Sequence, residues 1–298
     1  MVRRPDRRGG SLIVACVVLV CALLGPSAAA RADGERAAVR PPFSYDRNRP
    51  LNLRLGETRA GAGVVRQALT FDAGRGQKTA YWTHPEGSGP WPVVVFSPGS
   101  DGDATTQLPD ADRLAERGIA SLTLDPPRSL VLCRAAVDVR AYMNYVIGRR
   151  RALDLLPHLP GADSARVAAV GFSFGSAVTA AVAGVDHRLR GAVIQSGRAH
   201  LSIPIGAVCR NSLGRKKLKG YLRAYAAIDP VRYVSTAAPA ALLFQNGRVD
   251  PISPARDVDA YVRAASRPKE QRWYDAGHEL SDQARAERDA WLVELLKP

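Results

Sequence analysis

From Trp91 onward the chain alternates two kinds of apolar pattern. Short unbroken runs of β-branched and small residues, such as Val93, Val94, Val95 and Phe96, have the composition of strands buried on both faces. Between them lie longer stretches in which apolar residues return every three or four positions, as along one face of a helix. This reading predicts strands at 91–96, 119–124, 167–170, 191–195, 240–245 and 270–274, and helices at 107–118, 136–156, 176–183, 255–265 and 282–296. Within 136–156, Val139, Tyr142, Met143, Val146, Leu153 and Leu156 fall mostly on one face, and the polar positions read as solvated surface. Upstream, 64–71 and 78–83 read as two strands joined by a turn containing Gly74 and Gly76. Such alternation predicts an α/β fold, with a mostly parallel central sheet covered by helices on both faces. The rhythm breaks at 197–227, where Ile203, Pro204, Ile205 and Val208 are followed by Arg215, Lys216, Lys217 and Lys219. That stretch reads as a small cap-like insertion over the mouth of the domain.

The first 62 residues lack this pattern. Arg3, Arg4, Arg7 and Arg8 precede an apolar run at 12–24, followed by small residues up to Ala32. The run is short for a membrane span, which needs about twenty residues, so 1–32 is predicted to be a signal peptide and the protein to be secreted or extracytoplasmic. Residues 33–62, rich in Arg, Pro, Gly and Ala, read as an extended N-terminal arm, which leaves 63–298 as one domain. The formal net charge of +14 falls only to +10 without the first 32 residues, which carry five arginines and one aspartate. A basic balance favours anionic ligands and makes an anionic surface a candidate partner. No RNA-binding signature or Cys/His zinc spacing accompanies it, so neither nucleic acid nor a metal is expected. Cys133 and Cys209 are the cysteines beyond residue 32. An even count in an exported chain suggests a bridge between the end of one strand's loop and the insertion, with two buried thiols as the alternative.

Gly171, Phe172, Ser173, Phe174 and Gly175 supply the candidate chemistry. They stand between the apolar run 167–170 and the small-residue run 176–183, the strand–turn–helix setting in which a G-x-S-x-G turn exposes its serine. A serine hydroxyl needs a base to take its proton, and the base needs an acid to orient it. On sheets of this kind they follow in the order serine, acid, histidine. Of the histidines after Ser173, His187 ends the helix that follows it and His200 lies in the insertion. His278 alone follows the last predicted strand. Among the carboxylates, Asp257 and Asp259 fall in a helix, Glu270 opens a strand and Asp229 precedes one, whereas Asp250 stands at the tip of the loop leaving 240–245. Two amides must then hold the oxyanion: that of Phe174, at the start of a helix, and that of Ser100 in the loop after 91–96, with Asp101 as the second candidate for the latter. Asp101 and Asp103 are expected to face solvent or to pair with arginines of the insertion.

The order GFSFG, GRVD, GHE resembles the α/β-hydrolase superfamily over about residues 64–296, closest to dienelactone-hydrolase-like enzymes and the secreted bacterial esterase, cutinase and platelet-activating-factor-acetylhydrolase-like branch. The resemblance implies an α/β-hydrolase fold, a Ser173–His278–Asp250 triad and an oxyanion loop at Pro98, Gly99 and Ser100. The leading reading is a secreted serine esterase acting on small-molecule or lipid esters, without cofactor and as a monomer. Two departures stand out. Polyester hydrolases of that branch usually carry an aromatic residue after Pro-Gly and a His and a Met flanking the nucleophile, where this chain has Ser100, Phe172 and Phe174. Dienelactone hydrolases proper use cysteine as nucleophile. Acyl transfer or peptidase activity on the same fold, and a binding module that keeps the fold, are the competing readings. The insertion's apolar stretch is expected to wall an acyl chain, with its cations at the rim.

Overall fold

The computed structural model of the chain describes residues 42–127 and 133–298. The expected signal peptide and the first part of the expected arm lie outside the described residues. The described residues belong to one unit, Arg40–Pro298.

Nine strands form one sheet: β1 (Arg54–Gly61), β2 (Val64–Asp72), β3 (Gln77–Pro85), β4 (Trp91–Ser97), β5 (Ala120–Leu124), β6 (Ala162–Phe172), β7 (Leu189–Gln195), β8 (Ala241–Gly247) and β9 (Lys269–Tyr274). Their order is β1-β2-β3-β5-β4-β6-β7-β8-β9. The first three pair antiparallel, and β3 joins β5 antiparallel. From β5 to β9 every neighbour is parallel, the expected α/β-hydrolase arrangement.

The helices are α1 (Leu108–Ala115), α2 (Ala135–Leu155), α3 (Phe174–Val185), α4 (Ser202–Cys209), α5 (Arg215–Ala226), α6 (Ala255–Ala264) and α7 (Asp282–Leu296). Alternation along the central strands divides them between two faces. Val94, Phe96, Ala168 and Val170 pack with Leu114 of α1 and Leu292 and Leu296 of α7. Val93, Val95, Val167 and Ala169 face the other side, where α2, α3 and α6 bring Tyr142, Val178 and Tyr261.

Two expectations change. The arm ends in a strand, since β1 pairs with β2 from Arg54↔Thr70 to Gly61↔Val64. All eight of its residues are exposed, so strand pairing rather than burial defines it and no apolar alternation announces it. The polar positions of α2 are not all solvated: Asp138, Arg149 and Arg151 are buried. Arg151 donates to the carbonyls of Asp72, Arg47, Arg49 and Pro50, fastening the segment before β1. Arg149 donates to Ser97 Oγ and the Leu124 carbonyl, at the ends of β4 and β5.

The insertion holds α4 and α5. Tyr221 of α5 donates to Asp138 of α2 at 2.6 Å, and Cys209 of α4 is bridged to Cys133, with Cα atoms 5.3 Å apart. At its far end the amide and hydroxyl of Ser202 donate to the buried carboxylate of Asp229. Burial pushes the Asp229 carboxyl up, a shift that the Ser202 hydrogen bonds oppose and do not cancel.

Candidate active site

Ser173 joins β6 to α3 with φ +52° and ψ −119°, a region that costs a non-glycine residue about 1–3 kcal/mol. The turn is tight enough to exclude side chains at both flanking glycines. A Cβ on Gly171 would lie 2.3 Å from the Gly175 carbonyl oxygen, and one on Gly175 would lie 2.0 Å from that of Ser97. The Ser173 amide donates to Gln195 O at 3.0 Å, and the Ser176 hydroxyl donates to Ser173 O at 2.6 Å. The hydroxyl of Ser173 is thus carried on a bend anchored from β7 and from within its own helix.

The Ser173 hydroxyl donates to His278 Nε2 at 2.8 Å. On the other side of the ring, Nδ1–H donates to Asp250 Oδ2, also at 2.8 Å. The tautomer follows from chemistry, since an ionised carboxylate only accepts. Asp250 leaves β8 and His278 leaves β9, and the two loops are laced together. Arg248 donates to the Tyr274 carbonyl and Val249 to that of Ala276. A Cβ on Gly247 would lie 2.2 Å from the Ala276 and Gly277 carbonyl oxygens. The second oxygen of Asp250 accepts from the amides of Ile252 and Ser253. Its side chain is fully buried, while that of His278 is 16% exposed. Phe172 packs on that ring with centroids 5.3 Å apart.

The loop after β4 lies against this bend. A Cβ on Gly99 would come within 3.5 Å of Ser173 Cβ. Tyr145 of α2 donates to the Pro98 carbonyl, and with Arg149 on Ser97 it holds the loop from below. Among the described residues, the amides of Gly99, Ser100 and Asp101 donate to no protein acceptor. Phe174 is the first residue of α3, where helix geometry leaves its amide without an intrahelical acceptor. Asp101 and Asp103 are both exposed to solvent, as expected, and Asp103 also accepts from the amides and hydroxyls of Thr105 and Thr106. The hydrogen bonds from Thr105 come first in holding its carboxyl below the usual range.

A cavity of about 150 Å³ borders Gly99 and Phe172, with Gln195, Glu279, Arg285 and Arg288 in its wall. A roomier one of about 750 Å³ lies between the 44–49 segment and α2, and no triad residue lines it. The insertion does not wall the smaller cavity. Ile205 is buried in the core and Pro204 half-buried, while Ile203 and Val208 are exposed.

The expected serine, histidine and aspartate are therefore brought together, and the expected amides stand on the two segments flanking the serine. Sequence reasoning missed Tyr145, Arg149, Ser176 and Ser253. Each acts through a backbone group or a residue distant in sequence, so no local motif marks it. His200 pairs instead with Asp257, at 2.8 Å.

Residues 54–220 match the family model described as Esterase FrsA-like. The matched span contains Ser173 and stops before Asp250 and His278. Esterase FrsA of Escherichia coli O157:H7 is 33% identical over 122 residues, 41% of this chain and 28% of that protein. Esterase FrsA of Salmonella paratyphi B is 34% identical over the same length. The chain thus spans less than a third of the length of these curated relatives. Among solved structures, an acetyl xylan esterase from Paenibacillus sp. R4 superposes with a TM-score of 0.71 at 20% identity, over 82% of this chain and 89% of that one. Acetyl xylan esterase 1 from Thermoanaerobacterium sp. JW/SL YS485 gives 0.70 at 17%, over 82% and 88%. At such identities the likeness is one of fold. The superfamily read from the motifs holds, and the matching family is that of FrsA-like esterases.

Proposed function

The chain belongs to the FrsA-like esterase family, and on that premise we propose that it hydrolyses carboxylic esters through an acyl-enzyme on Ser173. The observation that carries this reading is the unbroken hydrogen-bonded line from Ser173 through His278 to the buried Asp250. In the first step Ser173 Oγ attacks the ester carbonyl carbon as its proton passes to His278 Nε2. Asp250 stabilises the imidazolium that forms and keeps its Nδ1–H directed inward. The carbonyl oxygen, now anionic, is held by the amides of Phe174 and Ser100. Collapse expels the alcohol, which takes the proton from His278. A water molecule, deprotonated by the same nitrogen, then attacks the acyl carbon and regenerates the serine.

The modest volume beside Gly99 and Phe172 favours a short acyl group. Export fits a chain whose two mature cysteines are bridged, because such bridges persist in non-reducing compartments. The test is a panel of p-nitrophenyl esters from acetyl to octanoyl, with the matching anilides. Ser173→Ala should lower ester turnover by about 10³ or more with an unchanged melting temperature, and should abolish labelling by a fluorophosphonate. Turnover close to the wild type in that folded variant would remove the assignment. Anilides cleaved as well as esters would move it to amide chemistry.

A further inference from the structure

We infer that the insertion is a docking surface for an anionic lipid bilayer. Residues 197–228 contain no Asp or Glu and seven Arg or Lys. Elsewhere the cations are interspersed with carboxylates, and several arginines are matched to them: Arg150 and Arg188 meet Asp186, and Arg288 meets Asp110 and Asp289. The insertion is different. Among the described residues, Arg210, Arg215, Lys216, Lys217, Lys219 and Arg223 form no ion pair, and all six are exposed. Unpaired exposed arginines also occur elsewhere among the described residues, such as Arg117 and Arg263, but the insertion concentrates six cations with no carboxylate among its own residues.

The same element exposes aliphatic side chains. Tyr221 and Tyr225 turn inward and fasten α5 to the body, which leaves the cations on the outer side. On α4, Ile203 is 57% exposed and Val208 67%. Between the two helices runs a groove of about 450 Å³, floored by Ile203, Leu218 and Leu222 and edged by Arg210 and Arg223. Aliphatic side chains are also exposed on the loop of the catalytic acid, where Val249 is 74% and Ile252 47% exposed. That loop is joined to the insertion's root, since Arg198 donates to the Ile252 carbonyl and pairs with Asp257.

Exposed aliphatics beside unpaired cations suit an interface in which headgroup phosphates take the charge and the acyl boundary takes the apolar groups. Single-stranded nucleic acid fits less well, because stacking needs aromatic rings and every large exposed hydrophobic residue described is aliphatic. The disulfide and the Tyr221–Asp138 hydrogen bond keep the insertion folded beforehand, so docking carries little ordering cost. The inference stands apart from ester hydrolysis and is tested apart from it.

The test is co-sedimentation of the unreduced full chain with vesicles of phosphatidylcholine alone, or containing about a third phosphatidylglycerol. Binding to the anionic vesicles should be at least about tenfold tighter, and should fall about tenfold between 0.1 M and 0.5 M salt. A combined Lys216→Glu, Lys217→Glu, Lys219→Glu variant should drop to the neutral-vesicle level. An Ile203→Ser, Val208→Ser variant should lose about fivefold, because each buried aliphatic adds to the partition. Turnover of a soluble acetyl ester, unchanged in both variants, shows that they are folded. Equal binding to neutral and anionic vesicles, or undiminished binding by the charge-reversed variant, would overturn the proposal. So would tight binding to a DNA oligonucleotide without vesicle binding, or full competition by millimolar glycerol phosphate, which would mark a small-anion site.

Discussion

At the scale of single residues, the proposed catalytic geometry converges on a side chain outside the proposed triad. Ser196, just beyond β7, has φ +48°. Its hydroxyl donates to the His278 carbonyl at 2.5 Å and its amide to Gln245 O at 2.8 Å. Ser253, whose amide holds Asp250, donates its hydroxyl to the Ser196 carbonyl. One serine thus ties the base loop and the acid loop to the end of the sheet. It acts as a positioning residue, since it touches His278 and no reacting atom. Ser196→Ala is expected to lower kcat about tenfold with KM within twofold, because misplacing the base raises only the barrier to proton transfer. Ser196→Gly separates the causes. Glycine suits the positive φ, so if backbone strain were the cause it would retain wild-type kcat, whereas loss of the anchor predicts the same fall as alanine.

At the scale of elements, the junction of α2 with α3 depends on Asp186. This residue follows the last turn of α3, where the helix dipole disfavours a carboxylate, and its side chain is 1% exposed. Burial alone would push its carboxyl up. Hydrogen bonds and charge from Arg188 and then Arg150 more than reverse that, leaving it below the ordinary range. A carboxyl depressed in the folded state contributes stability above its unfolded value of about 3.9, and the contribution is lost as pH falls through the lower folded value. Urea unfolding should accordingly show stability falling below about pH 4. Asp186→Asn should cost roughly 3 kcal/mol at pH 7, since Arg150 and Arg188 lose a buried partner, and should flatten the acid limb. An acid limb as steep as the wild type's would show that the junction is not responsible.

At the scale of the whole molecule, the Cys133–Cys209 bridge closes a loop of 76 residues. That loop contains the elbow and all of α2, so its constraint falls on the unfolded chain as a whole. Chain entropy assigns such a loop about 4 kcal/mol. A Cys133→Ser, Cys209→Ser variant should lose about that much in equilibrium unfolding while keeping turnover of a soluble ester, because Tyr221 and Asp138 still hold the insertion to α2. Mass mapping of the unreduced protein checks the pairing directly. Free thiols at either position would refute it.

The features legible in the chain are those whose cause is local. A buried parallel strand needs a short β-branched run, a nucleophile elbow needs Gly171 and Gly175 around Ser173, and Asp250 and His278 follow their strands within a few residues. The alternation of strand and helix therefore determined the fold, and its breaks located the candidate triad. Tertiary structure decided whatever depends on a partner far along the chain. Arg151 is buried because it meets carbonyls about a hundred residues earlier, at Arg49 and Pro50. Asp138 is buried because Tyr221, 83 residues later, donates to it. β1 is a strand because the edge of β2 offers it hydrogen bonds, although none of its side chains is buried. In the insertion, Ile203 and Val208 point outward and Ile205 inward, because Tyr221, Tyr225 and Cys209 decide which side of α4 and α5 faces the body. Composition specifies that such a segment is apolar and basic; only packing specifies which of those groups meet water.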